Sequence, residues 1–263
     1  MSGRVDLFDS TYGHFTEDVL AAVRRETYGR DIGQNSWLTA DEFDRFLSWL
    51  DLRPEHHALE VASGSGGPAR YLAERIGCRV TGIDANQSGV DTARAAGGAR
   101  LDFAVADANA PLPFPDGTFD GLLCIDSMNH FPDRAAVLRE WHRVLRPGRR
   151  AVFTDPVVIT GAVTNDELAL RSSIGLFLFV PPGVNEAWME QAGFRLLRSD
   201  DGSENCAAIS GRWRDARQRH REALLRIEGE ERFQGLQWFF DAVHRLTGER
   251  RLSRIVYLVE KPA

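Results

Sequence analysis

Between residues 57 and 155 the chain alternates short apolar runs with amphipathic stretches, and few architectures accept that rhythm. The runs are HALEVA (57–62), RVTGID (79–84), LDFAVAD (101–107), FDGLLCID (119–126) and RRAVFTD (149–155). Between them PARYLAERIG, NQSGVDTARAAG and DRAAVLREWHRVLRPG read as helices closed by glycine or proline. A strand–helix–strand alternation of this kind predicts an α/β domain with a parallel sheet covered on both faces. Ligands of such sheets bind at the carboxyl ends of the strands, where Asp84, Asp107 and Asp126 fall. With 263 residues and 43% hydrophobic content, the chain is long enough to bury a full core.

The flanks are less regular. EDVLAAVRRETYG and TADEFDRFLSWL predict helices within residues 1–50, which gives an N-terminal helical lid segment followed by a main domain over 51–263. Residues 156–190 mix prolines and glycines with the apolar run IGLFLFVPPG before the helix NEAWMEQAG. The span 205–248 reads as long helices, and these two regions are the expected cap elements. FRLLRSD and the closing IVYLVEK are further strand candidates. Trp213, Trp238, Phe239 and Phe240 are expected to be core for the most part, since aromatics at such spacings usually bury their area.

A formal net charge of −6 gives no general attraction to nucleic acid or anionic membrane, so a small molecule is the expected partner. The arginine-rich stretch Arg212, Arg214, Arg217, Arg219 and Arg221 is interrupted by Asp215 and Glu222 and reads as a solvated helix face. Cys78, Cys124 and Cys206 are far apart with no metal-ligand spacing, which predicts ordinary thiols and no metal site. MSGRVDLFDSTYGHF lacks an apolar signal core, and a cytoplasmic protein is expected. His56 and His57, just before the first strand, read as surface residues.

LEVASGSGG (59–67) hands the first strand to a helix through small residues only, with Pro68 suited to the helix's first turn. Gly64, Gly66 and Gly67 let the backbone turn tightly and let a ligand come close, while the helix start offers N–H groups to an anion. About 20 residues later Asp84 can accept both hydroxyls of a ribose. A nicotinamide dinucleotide and S-adenosylmethionine (SAM) both fit this spacing.

VADANAPLPFPDGTFDGLLCIDSMNHF adds an acid that can reach an adenine amino group, a turn and a fourth strand, and HRVLRPGRRAVFTDP adds a Pro-Gly turn before the fifth. With LEVASGSGG and GIDAN, this order of signals resembles the class I SAM-dependent methyltransferases over roughly residues 55–160. The resemblance implies a Rossmann-like seven-stranded, mostly parallel sheet with helices on both faces and a helical cap. RRETYGRDIGQNSW, IDSMNH and IVYLVEKP are similar more narrowly to the phosphoethanolamine, sarcosine/dimethylglycine and tocopherol-type methyltransferases. Carried across, that likeness implies a SAM site in which Gln34 and the loop around it form a lid. Gly64 and Gly66 line the methionine side, Asp84 takes the ribose, and Asp107 with Ala108 faces the adenine. Glu60, Ala62, Ala85 and Ile125 complete the cofactor set.

His130 matches the catalytic histidine of the phosphoethanolamine branch, with Asp126 four residues before it as a second catalytic candidate. Methyl transfer from a sulfonium needs in-line positioning and, for a hydroxyl or amine acceptor, a group that takes a proton. An imidazole with the ordinary pKa of about 6.5 would serve at neutral pH. Ile174 to Val180 with Pro181 and Pro182 suggests a hydrophobic wall for a small metabolite. The expected function is methyl transfer to an oxygen, nitrogen or carbon of such a metabolite. The alternatives are a SAM-binding protein without methyl transfer and a nicotinamide-dependent oxidoreductase.

Overall fold

The structure, a computed structural model, describes residues 11–263. Seven strands, β1 (His57–Val61), β2 (Arg79–Asp84), β3 (Leu101–Val105), β4 (Phe119–Cys124), β5 (Leu145–Ile159), β6 (Arg195–Asp201) and β7 (Leu252–Glu260), form one sheet. Their order is β3-β2-β1-β4-β5-β7-β6. The first five strands pair in parallel and β7 runs antiparallel between β5 and β6. The order reverses between β1 and β4, and the crevice beyond their carboxyl ends is where such a sheet takes its ligand.

Successive side chains of a strand face opposite ways, and the core divides accordingly. Leu59, Val61, Leu122, Cys124 and Phe153 lie in one apolar cluster with Val137, Leu138 and Trp141 of the helix Arg134–Val144. Ala58, Leu123 and Val152 lie in a second, with the helices Ala40–Leu50, Gly67–Ile76 and Gln87–Ala96. The expected division at residue 50 therefore runs beside a helix whose Phe43, Phe46 and Leu50 are continuous with the sheet's own core. A third cluster joins the helix Asp18–Tyr28 to the late helices Ser203–Arg219, Arg221–Glu228 and Glu230–Gly248, above the strand ends. Among the described residues, no helix is long and apolar enough to cross a membrane.

Several local expectations change. The fifth strand begins at Leu145, with the Pro-Gly turn as an excursion inside it: Leu145 pairs with Phe119 and Arg150 with Gly121. His56 is buried, its Nδ1 accepting the Arg53 N–H at 3.0 Å. His57 is half-buried with its Nε2 2.8 Å from Thr81 Oγ1, so neither is a surface residue. Within the arginine-rich helix Arg217 turns inward to a bidentate pair with Glu228 at 2.9 and 2.6 Å. Trp213, Phe239 and Phe240 are buried, whereas Trp238 is 58% exposed.

Candidate active site

Beyond the ends of β1, β2 and β4 lies a cleft of about 460 Å³. Among the residues singled out from the sequence, Ala62, Asp84, Ala85, Asp107, Ala108 and His130 line it. Asp84 is the fixed point of this cleft. Its Oδ2 accepts the Gly64 N–H at 2.8 Å and its Oδ1 the Asn86 N–H at 2.8 Å. Burial pushes its pKa up, and those two backbone donors oppose the shift. Each carboxylate oxygen has accepted one bond and keeps a lone pair for a further donor, which is what a vicinal diol requires. Asn86 caps the next helix by accepting the Gly89 N–H at 2.8 Å, so the loop that carries Asp84 is held at both ends.

Glu60, Gly64, Gly66, Gln34 and Ile125 do not line the cleft. Glu60 is buried at the end of β1 with its Oε2 lacking a partner, and burial raises its pKa to about 8. Gly64 and Gly66 have φ of +50° and +73°, values that favour glycine. The space of their missing side chains is already taken: a Cβ on Gly64 would lie 2.4 Å from the Tyr12 hydroxyl, and one on Gly66 would lie 2.5 Å from the Phe103 ring. A Cβ on Gly67 would come 2.2 Å from the Gly33 carbonyl. At Gly66 and Gly67 the small residues allow this close packing.

Gln34 is fully buried, its Oε1 accepting the Ile32 N–H at 2.8 Å and its Nε2 donating to the Leu38 carbonyl at 3.3 Å. Both ends of its amide are engaged within its own loop. Ile125 is 7% exposed within the second core cluster.

Tyr12, Asn86, Ser127 and Phe131 also line the cleft and were not anticipated. For Tyr12 the one available signal was an aromatic in a polar N-terminal segment. Burial raises its phenol well above the ordinary range, with the nearby Asp84 charge adding to the shift.

A second cavity of about 70 Å³ lies under the late helices. Trp37, Asn129, Arg171, Ile174, Phe177 and Phe239 are among its walls, which bears on the apolar wall read from Ile174–Val180. His130 lines both this cavity and the cleft. Its Nδ1 is 2.9 Å from the Leu176 carbonyl, so that nitrogen carries the proton and donates it, leaving the lone pair on Nε2. The Asn129 amide approaches Nε2 at 3.2 Å, and Phe177 meets the ring edge-on at 4.8 Å between centroids. Burial lowers the imidazole pKa to about 4, and Arg171 and Arg134 push the same way against the Leu176 bond. The ordinary value near 6.5 is thus corrected downward, and the ring is neutral throughout the physiological range.

Asp126 lines the second cavity, yet its oxygens are claimed. Oδ2 accepts the Trp37 N–H at 2.8 Å. Oδ1 accepts from Thr154 at 2.7 Å and from Arg254 Nε at 2.7 Å. Arg254 in turn reaches both oxygens of Glu42, at 2.9 and 3.0 Å. A carboxylate held by three donors is poorly placed to take a proton from substrate, so Asp126 is corrected from a second catalytic group to a support. It stands at φ +54°, strained for a residue with a side chain, as does Ala62 at +58° at the end of neighbouring β1.

Residues 59–153 match the family described as a methyltransferase domain. The chain is 30% identical over 204 residues to the glycine/sarcosine/dimethylglycine N-methyltransferase of Actinopolyspora halophila, covering 75% of this chain and 36% of that one. It is 36% identical over 166 residues to methyltransferase GfsG of Streptomyces halstedii, covering 59% of this chain and 58% of the relative. The chain thus spans less than two thirds of either relative's length. In fold it is similar to Haemonchus contortus phosphoethanolamine N-methyltransferase 2, solved with phosphomonomethylethanolamine and S-adenosylhomocysteine. That likeness has a TM-score of 0.81 at 18% identity and covers 98% of this chain and 61% of the other.

Proposed function

We propose, from the match of residues 59–153 to a methyltransferase domain, that the chain is a SAM-dependent methyltransferase that moves a methyl group onto a small-molecule acceptor held in the second cavity. SAM supplies the activated methyl when bound. The chain's own residues fit that cofactor: Asp84 has its carboxylate fixed by two backbone donors in a cleft of nucleoside size, with Asp107 and Ala108 on the same walls.

The observation that carries the reading is the position of His130, the one residue among those described that is common to the linings of both cavities. Its imidazole stands at the junction between the cleft and the apolar chamber. With the Leu176 carbonyl accepting from Nδ1, Nε2 is the acceptor nitrogen; the Asn129 amide holds it at 3.2 Å, and it takes a substrate proton as the bound acceptor displaces that contact. The surrounding rings of Phe177, Trp213 and Phe239 limit water there and suit an acceptor with an apolar body. Tyr12 over the glycine loop and Trp37 tied to Asp126 place the N-terminal segment beside both cavities.

His130→Ala tests this. SAM affinity, measured by calorimetry, should stay near that of the wild type, since Asp84, Asp107 and Ala108 remain. Turnover, followed with methyl-labelled SAM and a panel of amine and hydroxyl acceptors, should drop by about 10²–10⁴-fold. Because the imidazole pKa is lowered to about 4, the wild-type rate should be flat from pH 6 to 8 and fall only as pH drops toward 4. Turnover within tenfold of the wild type in His130→Ala, or a rate that rises through pH 6.5, removes His130 from the proton path.

A further inference from the structure

Arg171 ends the helix Asn165–Arg171 and is 1% exposed. Its guanidinium makes no hydrogen bond or ion pair among the described residues, and both Nε and Nη1 are buried without an acceptor. The comparably buried Arg134, Arg217 and Arg254 each grip a carboxylate, at 2.6, 2.6 and 2.7 Å. The charges nearest Arg171 are already engaged: Asp126 by Trp37, Thr154 and Arg254, and Asp155 by Arg134 and Asn185. What Arg171 does touch is aromatic, the rings of Phe177 at 4.9 Å and Phe239 at 5.2 Å. Burial lowers its pKa to about 10, which leaves it cationic at neutral pH.

Desolvated donors without acceptors are costly in a folded protein, and a charged group doubly so. Arg171 also lines the second cavity, beside His130. We propose that Arg171 binds a carboxylate on the methyl acceptor, whose apolar part lies against Phe177, Phe239 and Trp213. The inference rests on the methyltransferase reading for the role of the bound molecule. The class follows from the walls. One arginine and no lysine line the cavity, enough for a monoanion; a phosphate dianion draws several cations, and no second free one is among the lining residues. The aromatic rings favour an acid with an apolar body over a purely polar one; at about 70 Å³ the cavity takes the carboxylate and the carbons next to it, and a larger body extends through its open side. Such an acid would supply the acceptors that Nε and Nη1 lack, and would fix its reacting end relative to His130.

Benzoate serves as the probe, with benzamide as its neutral isostere and inorganic phosphate as a competing anion. Binding is read by the fluorescence of Trp37 and Trp213, both in the cavity wall. Benzoate should bind the wild type, and Arg171→Met should weaken it by about 10- to 100-fold, the worth of one charge-assisted contact. Benzamide should respond little to the substitution. Arg171→Lys, which keeps the charge and loses the planar fork, should fall between. Methionine preserves length and removes an unsatisfied charge, so Arg171→Met should melt at or above the wild-type temperature; a purely structural arginine would melt lower.

Benzoate binding that is absent in the wild type or unchanged in Arg171→Met overturns the inference, as does phosphate binding in its place. A marked loss of thermal stability in Arg171→Met with benzoate affinity retained in Arg171→Lys also overturns it. A chain that binds benzoate through Arg171 but transfers no methyl to any acceptor would leave this site standing and remove the methyltransferase reading.

Discussion

Arg254→Met breaks the buried link between the two ends of the chain. Arg254, Glu42 and Asp126 have side chains 0%, 1% and 4% exposed. Arg254 contributes one bond of 2.7 Å to Asp126 and two of 2.9 and 3.0 Å to Glu42. Removing the cation strands two buried carboxylates, and breaking a buried pair in this way costs about 3–5 kcal/mol. For a chain of this size that is a fall in melting temperature of roughly 6–20 °C.

The assay is urea or thermal unfolding of a double-mutant cycle with Glu42→Leu. The double variant leaves no stranded charge at Glu42, so it should be more stable than the sum of the single losses predicts, by about 1–3 kcal/mol. The functional readout is separate. Asp126 also holds the Trp37 N–H, so its loss of Arg254 should raise KM more than it lowers kcat. Additivity of the two substitutions within about 0.5 kcal/mol would refute the coupling. A single-variant cost below about 1 kcal/mol would refute the claim that these charges depend on one another.

Asp84→Ala should weaken SAM binding by about 10- to 100-fold through the loss of charge-assisted hydrogen bonds, measured by calorimetry. It also orphans the Gly64 and Asn86 N–H groups, so a lower melting temperature without ligand is expected; affinity within twofold of the wild type would sink the ribose assignment. Gly67→Ala sets two effects against each other. Alanine favours a helix over glycine by about 1 kcal/mol, but its Cβ would sit 2.2 Å from the Gly33 carbonyl. Overpacking of about 1–3 kcal/mol should prevail, and an increase in stability on denaturation would show that the contact between the loop and the glycine turn is slack.

The strands and the cleft acids were legible because their signals are local. Apolar runs, caps and the glycine turn lie within a few residues of one another, and Asp84 and Asp107 follow strand ends. What was not legible depends on contacts far apart in sequence. Nothing near Glu42 points to Arg254, and Tyr12 gains its meaning from Gly64, where its hydroxyl takes the space a side chain would need. The glycines are ambiguous for the same reason: a residue without a Cβ serves a ligand and a neighbouring ring equally well, and at Gly66 the neighbour is Phe103. A motif singles out His130, but its depressed pKa comes from burial, with Arg171 and Arg134 adding to it, none of which a motif carries. Arg171 passed unnoticed because an arginine at a helix end is usually solvated.

The linings of the two cavities meet at His130 and at no other residue among those described. Substitutions in the late helices or in the segment 174–180 can therefore reshape the second cavity without disturbing a wall of the cleft that holds Asp84. Natural diversification would proceed on one side of the histidine while the other stays fixed, and a designer has the same freedom: Phe239, Phe240 and Trp213 are positions at which to retarget the chain. The junction itself is the position to leave in place, because His130 is a wall of both cavities.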